Sequence, residues 1–487
     1  MADAHARVTG EPGVCTVTQG PGVTNTVTAI VEAVKSHTPL LLITGEIPAR
    51  ERHHNQFVDQ AALLRALDCV YMTARSPVTV ADDLVLAHRT AIARSSPTAI
   101  GIPVEFQEHE VERGPVAVPP VRLERQRPDA DEIVRLADRV EHADRLLVLG
   151  GRGAVRADAG TALRELAARC GALVGTTAMG FGLFADDPFS IGICGGFASE
   201  RAAELVRGVD LILAFGASLH PSTTRNGDLL SPETTIVQVD RDPARLGALT
   251  PADVGVLGDA RLTAELLVSE LERRGSSRTG ARTSETAALL GSQRGEPFED
   301  ESTSTSVDPR SLMLELDRLL PKDRAVVIDS GSFQIFPATM LSVSDARSFL
   351  FTQAFMSLGL GLAGAVASAL ARPDRVTVVL VGDGGLSMSL GELISIRRAE
   401  RPVLVVVVND AAYGAEVHHL DDLDLPDELA RLTELDFAAL AGAMGIRGVT
   451  IRSIGDCAQL EEWLAAPEGP LLADCKVNGE IRGPWHD

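Results

Sequence analysis

The chain has 487 residues, 45% of them hydrophobic, which is enough for about three domains of ordinary size. The formal net charge of −22, with lysine very scarce, argues against a nucleic-acid partner, because phosphate binding requires clustered basic side chains. No apolar stretch approaches the roughly 20 residues that span a bilayer and no signal pattern is visible, so a cytoplasmic location is expected. Six dispersed cysteines without Cys-x-x-Cys spacing predict neither a disulfide framework nor a zinc site.

The first predicted domain is an α/β unit that covers residues 1–118. Met1 to Val8 has the pattern of a helix end, terminated around Gly10 and Pro12. The Pro-rich segment Gly114 to Pro120 is predicted to be an extended linker that closes this domain.

The second predicted domain covers residues 119–275, with strands near Arg145 to Leu149, Leu211 to Phe215 and Thr235 to Val239. A Gly-Arg-Gly turn at 151–153 follows the first of these strands but lacks the third glycine of G-x-G-x-x-G, so it is only a weak nucleotide-binding signal. Residues 276–306, rich in Ser, Thr, Gly and Glu, are predicted to form a flexible linker with a weak helix near Ala287 to Leu290.

The third predicted domain, residues 307–487, contains two apolar runs that end in acids. The run that starts at Val376 leads to Gly-Asp-Gly-Gly at 382–385, and the run that starts at Val403 leads to Asn409 and Asp410. Short continuous β-branched runs are typical of parallel strands that are buried on both faces. Residues 386–400, with apolar side chains at helical spacing, are predicted to form the helix of a βαβ unit.

Asp383 and Asp410 are expected to converge, because the carboxyl ends of parallel strands form the edge where ligands bind. The glycines around Asp383 allow the backbone to approach a phosphate, and the following helix N-terminus favours an anion. Magnesium prefers carboxylate, phosphate and water oxygens. The pattern therefore predicts a magnesium-bound diphosphate. The alternative for Gly-Asp-Gly alone is a turn with a solvated aspartate.

These motifs resemble thiamine diphosphate enzymes of the acetolactate synthase, pyruvate decarboxylase and benzoylformate decarboxylase group, over essentially the whole chain. Carried over residue by residue, Asp383 and Asp410 would hold Mg²⁺ through their side chains and Ala412 through its carbonyl, and Asn409 precedes the ligand position. Leu358 takes the place of a bulky apolar residue that supports the bent cofactor; ordinary core packing is its alternative. The resemblance implies these cofactor-binding residues: Gly331, Ser332, Leu358, Gly382, Asp383, Gly384, Gly385, Asp410, Ala412, Tyr413 and Gly414.

Four residues are candidates for the substrate-facing side of the site. Gln56 falls where relatives carry a Phe-Gln-Glu segment near the substrate, although Phe57 replaces the Glu. Glu416, His418 and His419 directly follow the metal loop, and one of them is expected to contact substrate or transfer a proton.

No catalytic residue is assigned, because the family's activating glutamate is expected upstream of Met1. Since the chain opens inside a predicted helix, about 50 residues of the family's first domain are expected to precede it. Either the start was placed too far downstream, or this is a shortened paralogue that has lost cofactor activation. Neither Glu11, in a Gly/Pro turn, nor Glu32, on a helix after the Gly-Pro-Gly loop, is a credible substitute.

The resemblance implies an α/β fold of three doubly wound parallel-sheet domains, with the first truncated, in a homodimer or homotetramer. The implied reaction is thiamine diphosphate- and Mg²⁺-dependent decarboxylation of a small 2-keto acid with carboligation, as in acetolactate synthase. The alternatives are a simple 2-keto acid decarboxylase and a non-catalytic subunit that binds the cofactor or assists assembly. Binding of FAD is doubtful, because Gly216 to Gly227 diverges from the stretch that acetolactate synthases carry there.

Overall fold

A computed structural model describes residues 1–48, 51, 53–111, 124–291 and 297–483. Within these residues the strands form three separate sheets, and every pair of neighbouring strands is parallel. The predicted α/β class with three parallel-sheet domains is therefore confirmed. The Pro-rich segment at 114–120 lies outside the described residues.

The first sheet has four strands in the order β1-β2-β4-β3. Its strands are β1 Gly13–Val17, β2 Leu40–Glu46, β3 Val70–Thr73 and β4 Pro97–Pro103. Its helices are α1 Ala2–Thr9, α2 Pro21–Thr24, α3 Val27–Lys35, α4 Gln60–Ala66 and α5 Val80–Arg94. Helix α1, which ends where the sequence predicts, packs against the third domain: Ala4 is buried with Leu350 and Leu362.

The second sheet has six strands in the order β10-β9-β8-β5-β6-β7. Its strands are β5 Leu146–Gly150, β6 Leu173–Thr176, β7 Ser190–Ile193, β8 Leu211–Phe215, β9 Thr235–Asp240 and β10 Val254–Leu257. The associated helices are α6 Ala130–His142, α7 Arg152–Arg156, α8 Gly160–Cys170, α9 Glu200–Arg207, α10 Pro221–Thr224, α11 Ala260–Arg273 and α12 Ser284–Gly291.

The third sheet has six strands in the order β12-β11-β13-β14-β16-β15. Its strands are β11 Arg324–Ile328, β12 Phe349–Phe351, β13 Val376–Gly382, β14 Val403–Asn409, β15 Arg447–Ile451 and β16 Leu471–Lys476. Its helices are α13 Pro309–Leu319, α14 Ile335–Met340, α15 Gly361–Ala371, α16 Asp383–Ser389, α17 Glu392–Ala399, α18 Gly414–Asp422, α19 Phe437–Ala443 and α20 Ala458–Ala465.

The centre of the third sheet is covered by helices on both faces. Along β13, Val378 and Leu380 join one apolar cluster, whereas Val379 and Val381 join the cluster on the opposite face. Each fully buried aliphatic side chain contributes about 1.5–3 kcal/mol relative to exposure. This burial on both faces explains why β13 and β14 lack a polar alternation, and it makes the strand ends a rigid base for the site.

Two sequence predictions differ from the structure. The single helix expected over residues 386–400 is two helices, α16 and α17, which are separated at Leu390 and Gly391, and α16 already begins at Asp383. The linker expected to be flexible is ordered over 276–291: Arg278 donates to the carbonyl of Cys170 at 3.1 Å, and Arg282 pairs with Asp187 at 2.8 Å. These two arginines attach the segment to the second domain. The polar composition of the segment did not predict such contacts.

Candidate functional site

The two acids predicted to converge do so at the carboxyl ends of β13 and β14. These strands are neighbours, with Gly382 opposite Val408, so Asp383 and Asp410 follow directly at the same edge of the sheet. Burial first, and then the charge of Asp410, raise the pKa of the Asp383 carboxyl, and burial raises that of Asp410. A buried and a partly buried carboxylate that interact in this way are costly to ionise together, and a divalent cation between them would remove that cost.

Glycine residues give the site its close backbone packing. A Cβ on Gly384 would lie 2.5 Å from the Tyr413 ring, and one on Gly414 would lie 2.7 Å from both Asp410 Oδ2 and Ser332 Oγ. No larger side chain fits at these two positions without displacing its neighbours. The structure therefore brings Ser332, Tyr413 and Gly414 to the acid pair, as expected from the sequence.

The loop after β14 turns sharply at the predicted ligand positions. Ala411 has a φ of 55°, the Ala412 N–H donates to Asp410 Oδ1 at 3.2 Å, and the Tyr413 N–H donates to the Ala430 carbonyl at 2.8 Å. These contacts hold the segment that carries the Ala412 carbonyl beside Asp410. Among the described residues no cluster of three or more His, Cys, Asp or Glu side chains is arranged to hold a metal.

Asn409 points away from the acid pair, into the interior of the third domain. Its Nδ2 donates to Asp474 Oδ1 at 2.9 Å, and Asp474 also accepts the Phe437 N–H at 3.0 Å. Because neighbouring residues at a strand end face opposite sides, this orientation directs Asp410 toward the ligand edge. Asn409 is thus engaged inside the domain, and the metal-ligand role of Asp410 stays a prediction.

A third acid at this edge, Asp329, was not singled out from the sequence. It follows β11 and accepts the N–H groups of Gly359 at 2.8 Å, Leu360 at 3.2 Å and Gly361 at 3.2 Å. Burial raises the pKa of Asp329 to about 6. The signal was available, because Val326 to Asp329 is another acid-ended apolar run. Asp329 anchors the backbone just after Leu358, the predicted support of the cofactor.

A cavity of about 1540 Å³ opens between the three domains of this chain. Its wall on the third domain contains all eleven predicted cofactor-binding residues and one predicted substrate-facing residue, Glu416. The shared lining residues are Gly331, Ser332, Leu358, Gly382, Asp383, Gly384, Gly385, Asp410, Ala412, Tyr413, Gly414 and Glu416.

The other substrate-facing candidates take different positions. His418 is buried, with Nε2 2.8 Å from the Gly479 carbonyl, whereas His419 is exposed on the same helix, α18. Gln56 accepts a hydrogen bond from Gln19 Nε2 at 2.8 Å in the first domain, and the described lining of the cavity does not include it. The structure does not bring these three side chains together, and their roles toward a substrate stay predictions.

The glycine turn of the second domain uses its N–H groups internally. The Gly151 N–H donates to the Phe215 carbonyl at 3.0 Å and the Gly153 N–H to the Gly216 carbonyl at 2.9 Å. These two groups are therefore not available to a phosphate in the way that a dinucleotide-binding turn requires.

The chain resembles known proteins along most of its length. Family models match as follows: "Thiamine pyrophosphate enzyme, N-terminal TPP binding domain" over 1–63, "Thiamine pyrophosphate enzyme, central domain" over 133–267, and "Thiamine pyrophosphate enzyme, C-terminal TPP binding domain" over 329–475. In the described part of the chain no helix is both long and apolar enough to cross a membrane.

Three similar curated proteins illustrate the range of relatives. "Acetolactate synthase large subunit" of Parasynechococcus marenigrum (strain WH8102) is 32% identical, and the match covers 92% of this chain and 74% of the relative. "Putative thiamine pyrophosphate-containing protein YdaP" of Bacillus subtilis (strain 168) is 25% identical, with coverages of 98% and 83%. "Sulfoacetaldehyde acetyltransferase" of Roseovarius nubinhibens is 28% identical, with coverages of 100% and 85%. With its three parallel-sheet domains and an acid pair at the carboxyl edge of the third, the chain belongs to the family of thiamine pyrophosphate-dependent enzymes.

Proposed function

We propose that this chain binds thiamine diphosphate through Mg²⁺ at Asp383, Asp410 and the Ala412 carbonyl, decarboxylates a small 2-keto acid, and joins the remaining group to a second carbonyl compound. The pair of interacting acids beside a glycine-lined wall is the observation that carries this proposal. Two carboxylates and a carbonyl are the hard oxygen donors that Mg²⁺ prefers, and diphosphate and water oxygens would complete an octahedral shell.

The residues of this chain would orient the cofactor and exclude water around it. Ser332 Oγ lies on the Asp410 side of Gly414, where a hydroxyl can donate to a phosphate oxygen. Asp383 is the first residue of α16, so the N–H groups of the first turn face the same edge and favour an anion. Leu358 lines the cavity as an apolar support. Bound thiamine diphosphate would supply the electron sink for the carbon that loses CO₂.

Group transfer is favoured over simple release of the product. Two of the similar proteins are named as an acetolactate synthase and a sulfoacetaldehyde acetyltransferase, names that describe the joining or transfer of a two-carbon group. A simple 2-keto acid decarboxylase is the second candidate, because the site residues on this chain are common to both reactions. We also propose that the protein is cytoplasmic.

The partner in this proposal is a second copy of the chain. Three exposed apolar side chains lie on the third domain: Met356 before α15 is 67% exposed, Met388 on α16 67% and Ile394 on α17 53%. In the first domain, Phe57 is 64% exposed close to Gln56. A second copy that docks its first domain against the third would cover these side chains and bring Gln56 to the cofactor edge, which the single chain does not do.

The test is turnover of pyruvate by the purified chain with thiamine diphosphate and Mg²⁺, with separate measurement of CO₂, acetolactate and acetaldehyde. We expect CO₂ with acetolactate. Acetaldehyde in its place would establish the decarboxylase alternative. Bound cofactor with no turnover of pyruvate, of other 2-keto acids or with sulfoacetaldehyde as acceptor would establish a non-catalytic subunit. Failure to bind the cofactor would refute the proposal.

A further inference from the structure

The backbone that carries Leu358 lies between two buried carboxylates. Residues 354–361, which we call the support segment, lead from the region after β12 to the first residue of α15, and Leu358 of this segment lines the wall of the cavity. Asp329 holds the end of this segment through the N–H groups of residues 359–361. The beginning of the segment is held by an acid from a different domain, Glu32.

Glu32 lies on α3 of the first domain and is 1% exposed. Its Oε2 accepts the Phe355 N–H at 2.7 Å, and its Oε1 accepts the Ala354 N–H at 3.3 Å. Hydrogen bonds to a carboxylate are among the stronger ones in proteins, and a buried N–H without a partner is costly. Loss of this carboxylate would therefore leave the start of the support segment without its acceptors.

Arg7 on α1 neutralises Glu32 and adds a third connection to the same region. Its Nη1 lies 3.2 Å from Glu32 Oε1, and its Nη2 donates to the Phe351 carbonyl at 2.5 Å, at the end of β12. The Arg7 side chain is 4% exposed and the Glu32 side chain 2%. Two side chains of the first domain thus hold the backbone on both sides of residues 352 and 353.

The middle of the support segment has a conformation that needs such anchors. Met356 has a φ of 61°, a left-handed conformation that costs a non-glycine residue free energy, and its side chain is 67% exposed, so packing contributes little in the single chain. Gly359 has a φ of 85°. A strained backbone persists only where the surrounding contacts determine it, and here Glu32 and Asp329 supply those contacts.

We infer that Glu32 is a positioning residue for the cofactor: it holds the support segment from another domain, so that Leu358 is in place before thiamine diphosphate binds. This inference rests on the proposed site. Glu32 does not line the cavity, so its role is to hold the segment and not to replace an activating acid. Without the anchor, the competent conformation becomes a minor state, and the apparent affinity falls by the fraction that is lost.

The test compares Glu32→Gln with the matched control Asp187→Asn. Asp187 also has a buried carboxylate, which accepts hydrogen bonds from Arg282 at 2.8 Å and from the Phe189 N–H at 2.9 Å. It lies in the second domain and is not among the residues that line the cavity. Each variant is titrated with thiamine diphosphate at saturating Mg²⁺ by calorimetry, and its thermal midpoint without cofactor is recorded. Both substitutions should lower the thermal midpoint.

We expect Glu32→Gln to raise the Kd for thiamine diphosphate about tenfold, which corresponds to a fall of the competent fraction to about one tenth. Asp187→Asn should leave this Kd within about twofold of the unchanged chain. An unchanged Kd in Glu32→Gln, with lowered stability like the control, would show a purely structural pair and overturn the inference. If the unchanged chain binds no cofactor, the proposed function fails as well, and the two failures are thereby distinguished.

A second measurement does not depend on whether the variant folds. Hydrogen exchange of the unchanged chain without cofactor, resolved to single residues by mass spectrometry, should show slow exchange at the Ala354 and Phe355 N–H groups, comparable with Gly359 and Gly361. Fast exchange at Ala354 and Phe355 beside slow exchange at Gly359 and Gly361 would mean that Glu32 does not hold the segment, and would overturn the inference independently.

Discussion

Asp410 follows the last residue of a buried strand, and the loop after it turns the Ala412 N–H back onto Asp410 Oδ1. Asp383 approaches it from the neighbouring strand. A position that raises the pKa of both carboxyls is unfavourable for stability in the absence of a cation. The same position is favourable for binding one, which is the usual relation between local instability and function.

Replacing Asp410 with alanine is expected to weaken Mg²⁺-dependent binding of thiamine diphosphate at least about 100-fold, because loss of residues that merely orient metal ligands already costs 10–100-fold. Calorimetric titration with and without Mg²⁺ measures this effect. Glu428→Ala, which removes an exposed acid of the same domain, serves as the control and should bind normally. Binding by Asp410→Ala within about threefold of the unchanged chain would place the metal elsewhere.

Asp329 should make the free energy of unfolding depend on pH. Its pKa is raised to about 6 in the folded chain, so the folded form retains a proton that the unfolded chain releases near pH 4. Its contribution to stability is therefore greatest at low pH and is lost as pH rises through about 6, a change of up to about 3 kcal/mol.

Urea unfolding of the cofactor-free chain between pH 4 and pH 7 tests this dependence, with Asp329→Asn as the comparison. The variant should be less stable overall, since one of its side-chain oxygens becomes a donor, but it should lose this part of the pH slope. Equal slopes in both proteins would show that Asp329 titrates normally.

At the scale of elements, the first turn of α16 packs closely against the loop before α18 because Gly384 has no side chain. Gly384→Ala would place a Cβ 2.5 Å from the Tyr413 ring, so the Tyr413 side chain would have to leave its present position in the cavity wall. Such overpacking costs about 1–3 kcal/mol, and we expect cofactor affinity to fall with it, while the circular dichroism spectrum stays unchanged.

The matched control is Gly391→Ala, only a few residues further along the chain. Nothing lies within 4 Å of a Cβ at Gly391, and its φ of −59° is compatible with alanine. This substitution should raise the thermal midpoint. It lowers the conformational entropy of the unfolded chain, which raises the free energy of unfolding by up to about 1 kcal/mol, and it does not disturb the fold. Equal loss of affinity in both variants would mean that the contact between Gly384 and Tyr413 is not what matters.

At the scale of the whole molecule, the exposed apolar side chains of α16 and α17 predict self-association. Sedimentation equilibrium should show at least two 51.5-kDa chains. Ile394→Glu and Met388→Glu should shift the protein toward the monomer and reduce turnover together, because each places a charge in the proposed contact. Leu249→Glu, at an exposed apolar residue of the second domain, should change neither. A monomer with full activity would refute the partner proposal.

Much of the second and third sheets could be predicted from the sequence because the signals are local. The strand at Leu211 to Phe215 in the second domain and the strand ends before Asp383 and Asp410 in the third are where the pattern predicted them. The single helix over 386–400 was wrong, since apolar spacing alone does not register that the helix begins at Asp383 and breaks at Gly391. The ordered contacts of Arg278 and Arg282 were hidden in a polar composition.

What the sequence by itself determined is the α/β class, the acid-ended strands and the glycines between them, because strand burial and turn chemistry depend on neighbouring residues. Only the tertiary structure decided that Glu32 meets Phe355, more than 300 positions later in the chain, that Asp329 holds Gly359 to Gly361, and that His418 bonds to Gly479. Those contacts depend on how separate elements and domains pack, and a buried N–H or carbonyl takes whichever partner that packing brings to it.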